Sequence, residues 1–406
     1  MASLFLQNRV SGLHLAVWRG MAFVLISILL LQTLYFILQA IYNLYLHPLR
    51  SFPGTKSWIV FPILRDFAQL KGQFDHKIQE FHEKYGGVVR WAPNEISFTS
   101  PQAWKDIYGH GHAELLKYFP DGARENGPAR IISANAADHF RFRRAMFPAF
   151  SDKALGQQEP LIAVYVDLLV HKLRDVATSD LPTNLVQWFT PTTFDLIGDL
   201  AFGESFDGLR DTKSHDWITN IEKMMKLFPI LTLVSVSPLL SKLLLFLASD
   251  KIKRSREHHF KKAEPLTMKR INNAAQRDRG DFTDHMMRSQ GQKHGLSNAE
   301  LVSNSDTLIV AGSETTATLL SGVTYYLLAN PTTLKKATLE VRSAFQTEAE
   351  ISFRAASIKL PYTLACLNEG LRIFPPIPTV LQRQCLPGGL TPIDGKPIPE
   401  KASVPS

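Results

Sequence analysis

The first feature of the chain is a stretch with no polar rhythm at all. From Gly20 to Leu49 there is no Asp, Glu, Lys or Arg. Its core, Met21 to Tyr42, holds Gln32 and Gln39 as its only amides and is long enough to span a bilayer as one helix. A cleaved signal peptide is the other reading, but its apolar region is shorter and ends at small residues. Basic residues flank both ends (Arg9 and Arg19; Arg50, Lys56 and Arg65), so charge bias leaves the orientation open. The organisation expected is a tail over 1–20, a transmembrane anchor over 21–42, a Pro-rich hinge over 43–54 and one large domain over 55–406.

Beyond the anchor the pattern is mostly helical. Tyr42 to Gly54, Y-N-L-Y-L-H-P-L-R-S-F-P-G, carries two prolines and a glycine and predicts a stiff connector. Val88 to Trp91 and Glu95 to Phe98 predict two short strands joined by Ala92-Pro93-Asn94, after a Gly86-Gly87 turn. Lys153 to Val176 predicts an amphipathic helix. Thr193 to Phe206 repeats apolar residues at helical spacing and is stopped by Gly203. Leu227 to Leu247 is again apolar, but Pro229, Pro238 and Lys242 favour two short helices dipping into the membrane face over a second span. Lys251 to Arg277 reads as a strongly basic helix with a solvated face.

The longest element is predicted over Asn298 to Ala329. Ser297 and Glu300 form an S-x-x-E capping box, with Leu296 and Leu301 at the staple positions. Asn330-Pro331 ends it, because a residue before proline leaves the helical region. Thirty-two residues make a helix of about 48 Å. Its middle reads A-G-S-E-T-T. Ala311 and Gly312 remove bulk, and Glu314, Thr315 and Thr316 place an acid and two hydroxyls among Leu308, Ile309, Val310, Leu319 and Leu320. A mid-helix Thr can bond back one turn and bend the helix. A polar notch for chemistry and a Gly-Ser-Thr packing seam are both consistent with these residues alone.

Composition narrows the class. A chain of 406 residues that is 45% hydrophobic can bury a large core. The net charge is +8, from 45 basic and 37 acidic residues, and no basic run is interleaved with aromatics as on a nucleic-acid surface. An anionic membrane surface or an acidic redox partner suits this charge better. Two cysteines, Cys366 and Cys385, give neither a disulfide framework nor zinc spacing; no protein metal-ligand set is read, and a reducing, cytosol-facing domain is expected.

Two further motifs carry chemistry. Glu369-Gly370-Leu371-Arg372 is E-x-x-R ahead of Phe374-Pro375-Pro376, and the i, i+3 spacing puts acid and base within ion-pair reach. His139 to Ser151, H-F-R-F-R-R-A-M-F-P-A-F-S, sets His139 and Arg143 one turn apart, cationic donors suited to carboxylates. Arg141 and Arg144 are read as an exposed basic face. A-G-S-E-T-T in a long helix, with E-x-x-R and R-I-F-P-P after it, resembles the cytochrome P-450 superfamily of haem-thiolate monooxygenases. The Tyr42–Gly54 connector and H-E-K-Y-G-G-V-V-R-W-A-P-N-E-I-S-F resemble its fungal microsomal members.

The resemblance implies a mainly α fold with small β-sheets behind the anchor, and haem as cofactor. Electrons would come from NADPH through a reductase. The substrate class implied is a hydrophobic small molecule of fungal secondary metabolism, and the location the endoplasmic reticulum membrane with the domain facing the cytosol. It implies His139, Arg143 and Arg383 as propionate holders, Ala311 and Gly312 as the bulk-free surface over the iron, and Glu314 and Thr315 as proton relay. Glu369 and Arg372 become a structural ion pair, and Ile377, Thr379, Val380 and Leu381 the substrate wall.

The sequence departs from the family in one place. Family members continue into F-x-x-G-x-x-x-C-x-G, whose cysteine ligates the iron, and this sequence reaches Ser406 without it. Cys366 and Cys385 stand outside such a loop. The expectation is a fold incomplete at its C-terminus, with the axial thiolate missing. The reading is then either a monooxygenase in shortened form or a haem-free membrane-bound binding or scaffold protein.

Overall fold

The computed structural model describes residues 23–118, 128–179, 182–212, 216–223, 262–273, 279–378 and 381–405, with positions 25, 222 and 293 excepted. Leu227 to Leu247 and most of Lys251 to Arg277 therefore lie outside the described residues, as do Thr379 and Val380. The chain forms two compact units, one from Met1–Tyr118 with Val380–Ser406, the other from Phe119–Thr379.

The first unit holds the strands. β1 (Val88–Ala92) and β2 (Glu95–Phe98) pair antiparallel, with a register shift between Arg90 and Ala92. β7 (Ser403–Val404) lies parallel to β2; β4 (Arg383–Gln384) and β3 (Leu116–Lys117) complete a sheet of order β1-β2-β7-β4-β3. A separate hairpin joins β5 (Leu390–Ile393) to β6 (Lys396–Pro399). Its two-residue turn is Asp394-Gly395, both at positive φ, as a hairpin turn that matches strand twist requires. Ile96, Phe98, Ile107, Cys385, Ile398 and Val404 form the core under the sheet. A second, aromatic cluster sets Trp58 edge-on to Phe81 and Phe74 against Trp91.

The connector is stiff for reasons beyond its prolines. Arg90 is buried and donates through Nη1 to the Asn43 carbonyl at 2.8 Å. The His47 ring meets Asn94 Oδ1 at 2.8 Å and accepts from Leu49 N at 3.1 Å. Arg90 N donates to Pro53 O at 2.7 Å. Gly54 follows at a point where any Cβ would overlap the Arg90 carbonyl, so only glycine fits. Burial, then the nearby Arg90 charge, holds the His47 imidazole below its ordinary pKa. Among the described residues one helix, Ile26–Leu46, is long and apolar enough to cross a membrane.

The second unit is helical. α1 (Ala136–Met146) leads through a 3-10 turn into α2 (Asp152–Ala177), then α3 (Val186–Phe202). Gly203 ends α3 in the left-handed conformation at φ 75°. α4 (Phe282–Met287) precedes α5 (Asn298–Ala329), followed by α6 (Pro331–Ala344), α7 (Phe353–Lys359) and α8 (Pro361–Ile373). α5 has the predicted limits. Its capping box is formed on both sides, and Leu296 and Leu301 are buried. Phe194, Phe202, Trp217, Ile218, Ile221 and Ile309 make the main core, with α3 as the principal neighbour of α5.

One basic residue contradicts the solvated reading of 251–277. Arg270, on a helix over 262–272, is only 4% exposed and bridges Asp281 at 3.0 Å and Asp284 at 2.5 Å. Asp284 also accepts from the backbone N of Arg279 and Gly280. A guanidinium taken from water needs such partners.

Candidate active site on the long helix

α5 changes character along its length. In its first half Ser303, Asn304, Ser305 and Asp306 are all buried. Three of them bond to the chain at 128–131. Asp306 Oδ2 accepts from Arg130 at 2.9 Å, Asn304 Oδ1 from Ile131 N at 2.9 Å, and Ser303 donates to Pro128 O at 3.2 Å. Arg141 extends this stitching. It donates to Glu300 through both terminal nitrogens and to the Gly295 carbonyl at 3.0 Å. Arg141 is thus a structural clasp on the start of α5, not the free surface residue the sequence suggested. Arg144 is exposed as expected.

At A-G-S-E-T-T the helix is held from one side and open on the other. Thr193 of α3 donates to Ser313 O at 2.9 Å. A Cβ on Gly312 would come within 2.7 Å of Ile197, so the close approach Gly312 permits is to a neighbouring helix. Ser313 is buried, while Ala311 and Thr316 are exposed and Glu314 and Thr315 are half-buried. Thr315 Oγ1 donates to the Ala311 carbonyl at 2.5 Å, which leaves its lone pairs facing away from the backbone.

Further along, α8 crosses α5 at small residues. Cβ atoms at Gly322 and Gly370 would strike Phe374 and Val323 respectively. The E-x-x-R pair is formed: Arg372 donates through Nε to Glu369 at 2.7 Å and through Nη2 at 2.6 Å. The Arg372 bond holds the Glu369 carboxyl below its ordinary range. Both side chains stay open, at 70% and 54% exposure. A groove of about 390 Å³ lined by Val323, Tyr326, Cys366, Glu369 and Ile373 runs beside them, away from A-G-S-E-T-T.

The other candidates are placed as follows. His139 and Arg143 sit one turn apart on α1, and Arg143 is exposed with no ion-pair partner among the described residues. Arg383 lies on β4 in the first unit with its guanidinium over the Tyr108 ring at 5.6 Å. Ile377 and Leu381 are exposed.

The family resemblance implies haem, and these side chains fit it in part. The open hydroxyl-bearing face of α5 and the unpaired Arg143 suit an acid-bearing planar ligand. The cysteines do not suit an axial role. Cys385 is 1% exposed under the sheet, where burial pushes its thiol up, and metal ligation needs the thiolate. Cys366 faces the α5–α8 groove. Among the described residues no three His, Cys, Asp or Glu side chains are grouped to hold a metal ion.

Known proteins supply the rest. Residues 52–405 match the family model described as Cytochrome P450. A trichothecene C-4 hydroxylase of Trichoderma arundinaceum is 46% identical over 367 residues, 90% of this chain and 73% of that protein. A cytochrome P450 monooxygenase of Metarhizium robertsii is 43% identical over 97% of this chain and 75% of its own length. An averantin hydroxylase of Dothistroma septosporum is 38% identical over 93% and 70%. All three carry the names of enzymes, which supports a haem monooxygenase role and gives no support to a scaffold without catalysis. The chain belongs to the cytochrome P450 family.

Proposed function

We propose that this protein is a membrane-anchored haem monooxygenase of fungal secondary metabolism. It inserts one oxygen atom from O2 into a hydrophobic small molecule. Hydroxylation is the reaction for which two of the relatives are named. The proposed setting is the endoplasmic reticulum, with the domain of residues 55–406 facing the cytosol and a reductase passing on electrons from NADPH.

The observation that carries this reading is the open face of α5, where Ala311 offers no bulk and Thr315 offers a hydroxyl. Haem, when bound, supplies the reductive activation of O2. The chain's residues do the remainder. His139 and Arg143 on α1 are the proposed partners of a ligand carboxylate, and Arg383 on β4 is proposed separately as a cation of the same kind. Gly312 lets α5 seat against Ile197, which fixes the height of Ala311 and Thr315. The Thr315 hydroxyl donates its hydrogen bond to the Ala311 carbonyl in this arrangement, so delivery of a proton outward requires that bond to be released. Glu314 is the neighbouring acid that returns the proton. Ile377 and Leu381, both exposed, are the proposed apolar substrate contacts; the same role is proposed for Thr379 and Val380, which lie outside the described residues.

Neither cysteine of the 406 residues acts as the axial ligand in this proposal. The test is the carbon monoxide difference spectrum of the reduced, haem-supplemented protein. No thiolate-type band is expected from Cys366 or Cys385, and a band lost on Cys366→Ser or Cys385→Ser contradicts this part of the reading.

A further inference from the structure

Two short runs of the first unit, K-D-I-Y-G at 105–109 and A-P-N-E at 92–95, converge on one stretch of chain. Leu381 to Arg383 runs into β4, which is only two residues long and so has few ladder bonds to hold it. Tyr118 N donates to the Gln382 carbonyl at 3.2 Å. Side chains do the rest. Gln382 Nε2 donates to Glu95 Oε2 at 2.9 Å. The Tyr108 hydroxyl donates to the Leu381 carbonyl at 2.7 Å, and the Arg383 guanidinium lies over the Tyr108 ring at 5.6 Å, within cation–π range. Successive side chains of an extended chain leave it on opposite faces. Glu95 therefore grips the segment from one face and Tyr108 from the other.

Both grips stand on firm ground. Tyr108 ends helix Pro101–Tyr108, which Ser100 caps by accepting from Ala103 N at 3.0 Å. Ala103 and Ile107 of that helix are buried in the core under the sheet, and Asp106 accepts from Asp394 N at 2.8 Å. Glu95 opens β2 and is buried. Its other oxygen accepts from Arg65 at 2.8 Å, and Arg65 also bridges Asp66 at 2.7 Å. Burial pushes the Glu95 carboxyl up, with Arg65 and Gln382 opposing it. A buried ionic group is a poor means of gaining stability, and its best-attested use is to fix one register. What Glu95 fixes is Gln382, 287 residues further along the chain, and with it the residues on either side. All of these groups belong to one compact unit.

We infer that Glu95 and Tyr108 are positioning residues: they hold Leu381 to Arg383 from two faces and so set where the Arg383 guanidinium meets a ligand carboxylate. Neither touches the ligand. Glu95 acts through Gln382, and Tyr108 acts through the Leu381 carbonyl and the Arg383 cation. A long side chain left loose must be immobilised when it binds, which costs affinity, and a side chain held beforehand avoids that cost. Losing either grip leaves Arg383 present but no longer pre-set. The inference rests on the proposed role of Arg383 as a carboxylate partner.

The test uses the full chain in detergent and two probes, hemin and hemin dimethyl ester, whose carboxylates are blocked. Binding is read by quenching of tryptophan fluorescence. The unsubstituted chain should bind hemin several-fold more tightly than the ester, and Arg383→Gln should lower that preference. Tyr108→Phe keeps the ring and removes the hydroxyl; Gln382→Met keeps the volume and removes the donor to Glu95. Each should weaken hemin binding about two- to tenfold, the size of one hydrogen bond, and leave the ester where it was. Equal weakening of both probes overturns the inference in favour of a general structural role. A preference kept in either folded variant, while Arg383→Gln lowers it, overturns the inference for that grip and leaves the Arg383 reading standing. A preference absent from the unsubstituted chain, or unchanged in Arg383→Gln, removes both. The two variants address separate grips, so one suffices if the other fails to fold.

Discussion

The two halves of α5 look alike in sequence and behave oppositely in the fold. Leu301 to Thr307 and Ala311 to Thr316 both interrupt an apolar helix with an acid and hydroxyls. The first interruption is buried and stitched to residues 128–131. The second is held from behind by Thr193 and Ile197 and leaves Ala311 and Thr316 exposed. A polar group inside a helix is therefore no sign of chemistry by itself. What separates a structural polar group from a functional one is whether the fold has already used it.

That contrast can be broken by substitution. The largest effect is expected at Asp306, which is fully buried against Arg130. Asp306→Ala removes the buried carboxylate that Arg130 bonds and should cost about 3 kcal/mol of unfolding free energy in a denaturant titration. A cost near zero would make this half as free as the other. Gly312→Val should come next, at about 1–3 kcal/mol, because the new methyls must displace Ile197. Ile197→Ala in the same chain should recover part of the loss, since it vacates the volume in question. Failure of that rescue would show that Gly312 faces something other than α3.

The start of α5 gives a prediction in pH. The Arg141 bond, with burial opposing it and the Ser297 bonds adding to it, holds the Glu300 carboxyl below its ordinary value of 4.5. A depressed carboxyl stabilises the fold fully above that value and loses the contribution as pH falls through the folded pKa. Glu300→Gln should cost about 1 kcal/mol at neutral pH and flatten the stability loss below pH 4.5. An unchanged acid limb would remove Glu300 from the clasp. His47 follows the same sign. Its imidazole is depressed by burial and then by Arg90, so its contribution is complete above 6.5 and declines on acidification, a loss that His47→Gln should abolish. The smallest effect is expected at Glu369 and Arg372. The pair is open to water, where such bridges contribute little, so Glu369→Gln should leave the unfolding midpoint where it was.

Much of this was legible along the chain wherever the signal was local. Ser297 and Glu300 start α5, Asn330-Pro331 ends it, Gly203 closes α3, and the apolar alternation around Ala92-Pro93-Asn94 marks β1 and β2. The contacts that decide roles were not local. Arg130 and Asp306 are 176 residues apart, Arg141 and Glu300 are 159 apart, and no spacing rule links them. Arg270 read as one more surface cation because its acidic partners lie beyond the basic run. The Asp394-Gly395 hairpin had a visible signal, the D-G pair between two apolar runs, and could have been found from it. The orientation of the helix Ile63–Leu70, with Asp66 buried and Leu64 and Phe67 exposed, could not, because periodicity tells that a helix has two faces and not which one is covered.

The central claim is that the open face of α5 does the chemistry, and Thr315→Ala tests it most directly. The side chain is half-buried and its one bond is to its own helix, so the unfolding free energy should move by less than about 0.5 kcal/mol. Product formed per NADPH consumed, measured with a reductase in a haem-loaded form of the chain extended by a haem-ligating cysteine segment, should fall several-fold while the substrate-induced spectral change keeps its midpoint. Unchanged coupling in a folded, substrate-binding Thr315→Ala protein would contradict the account.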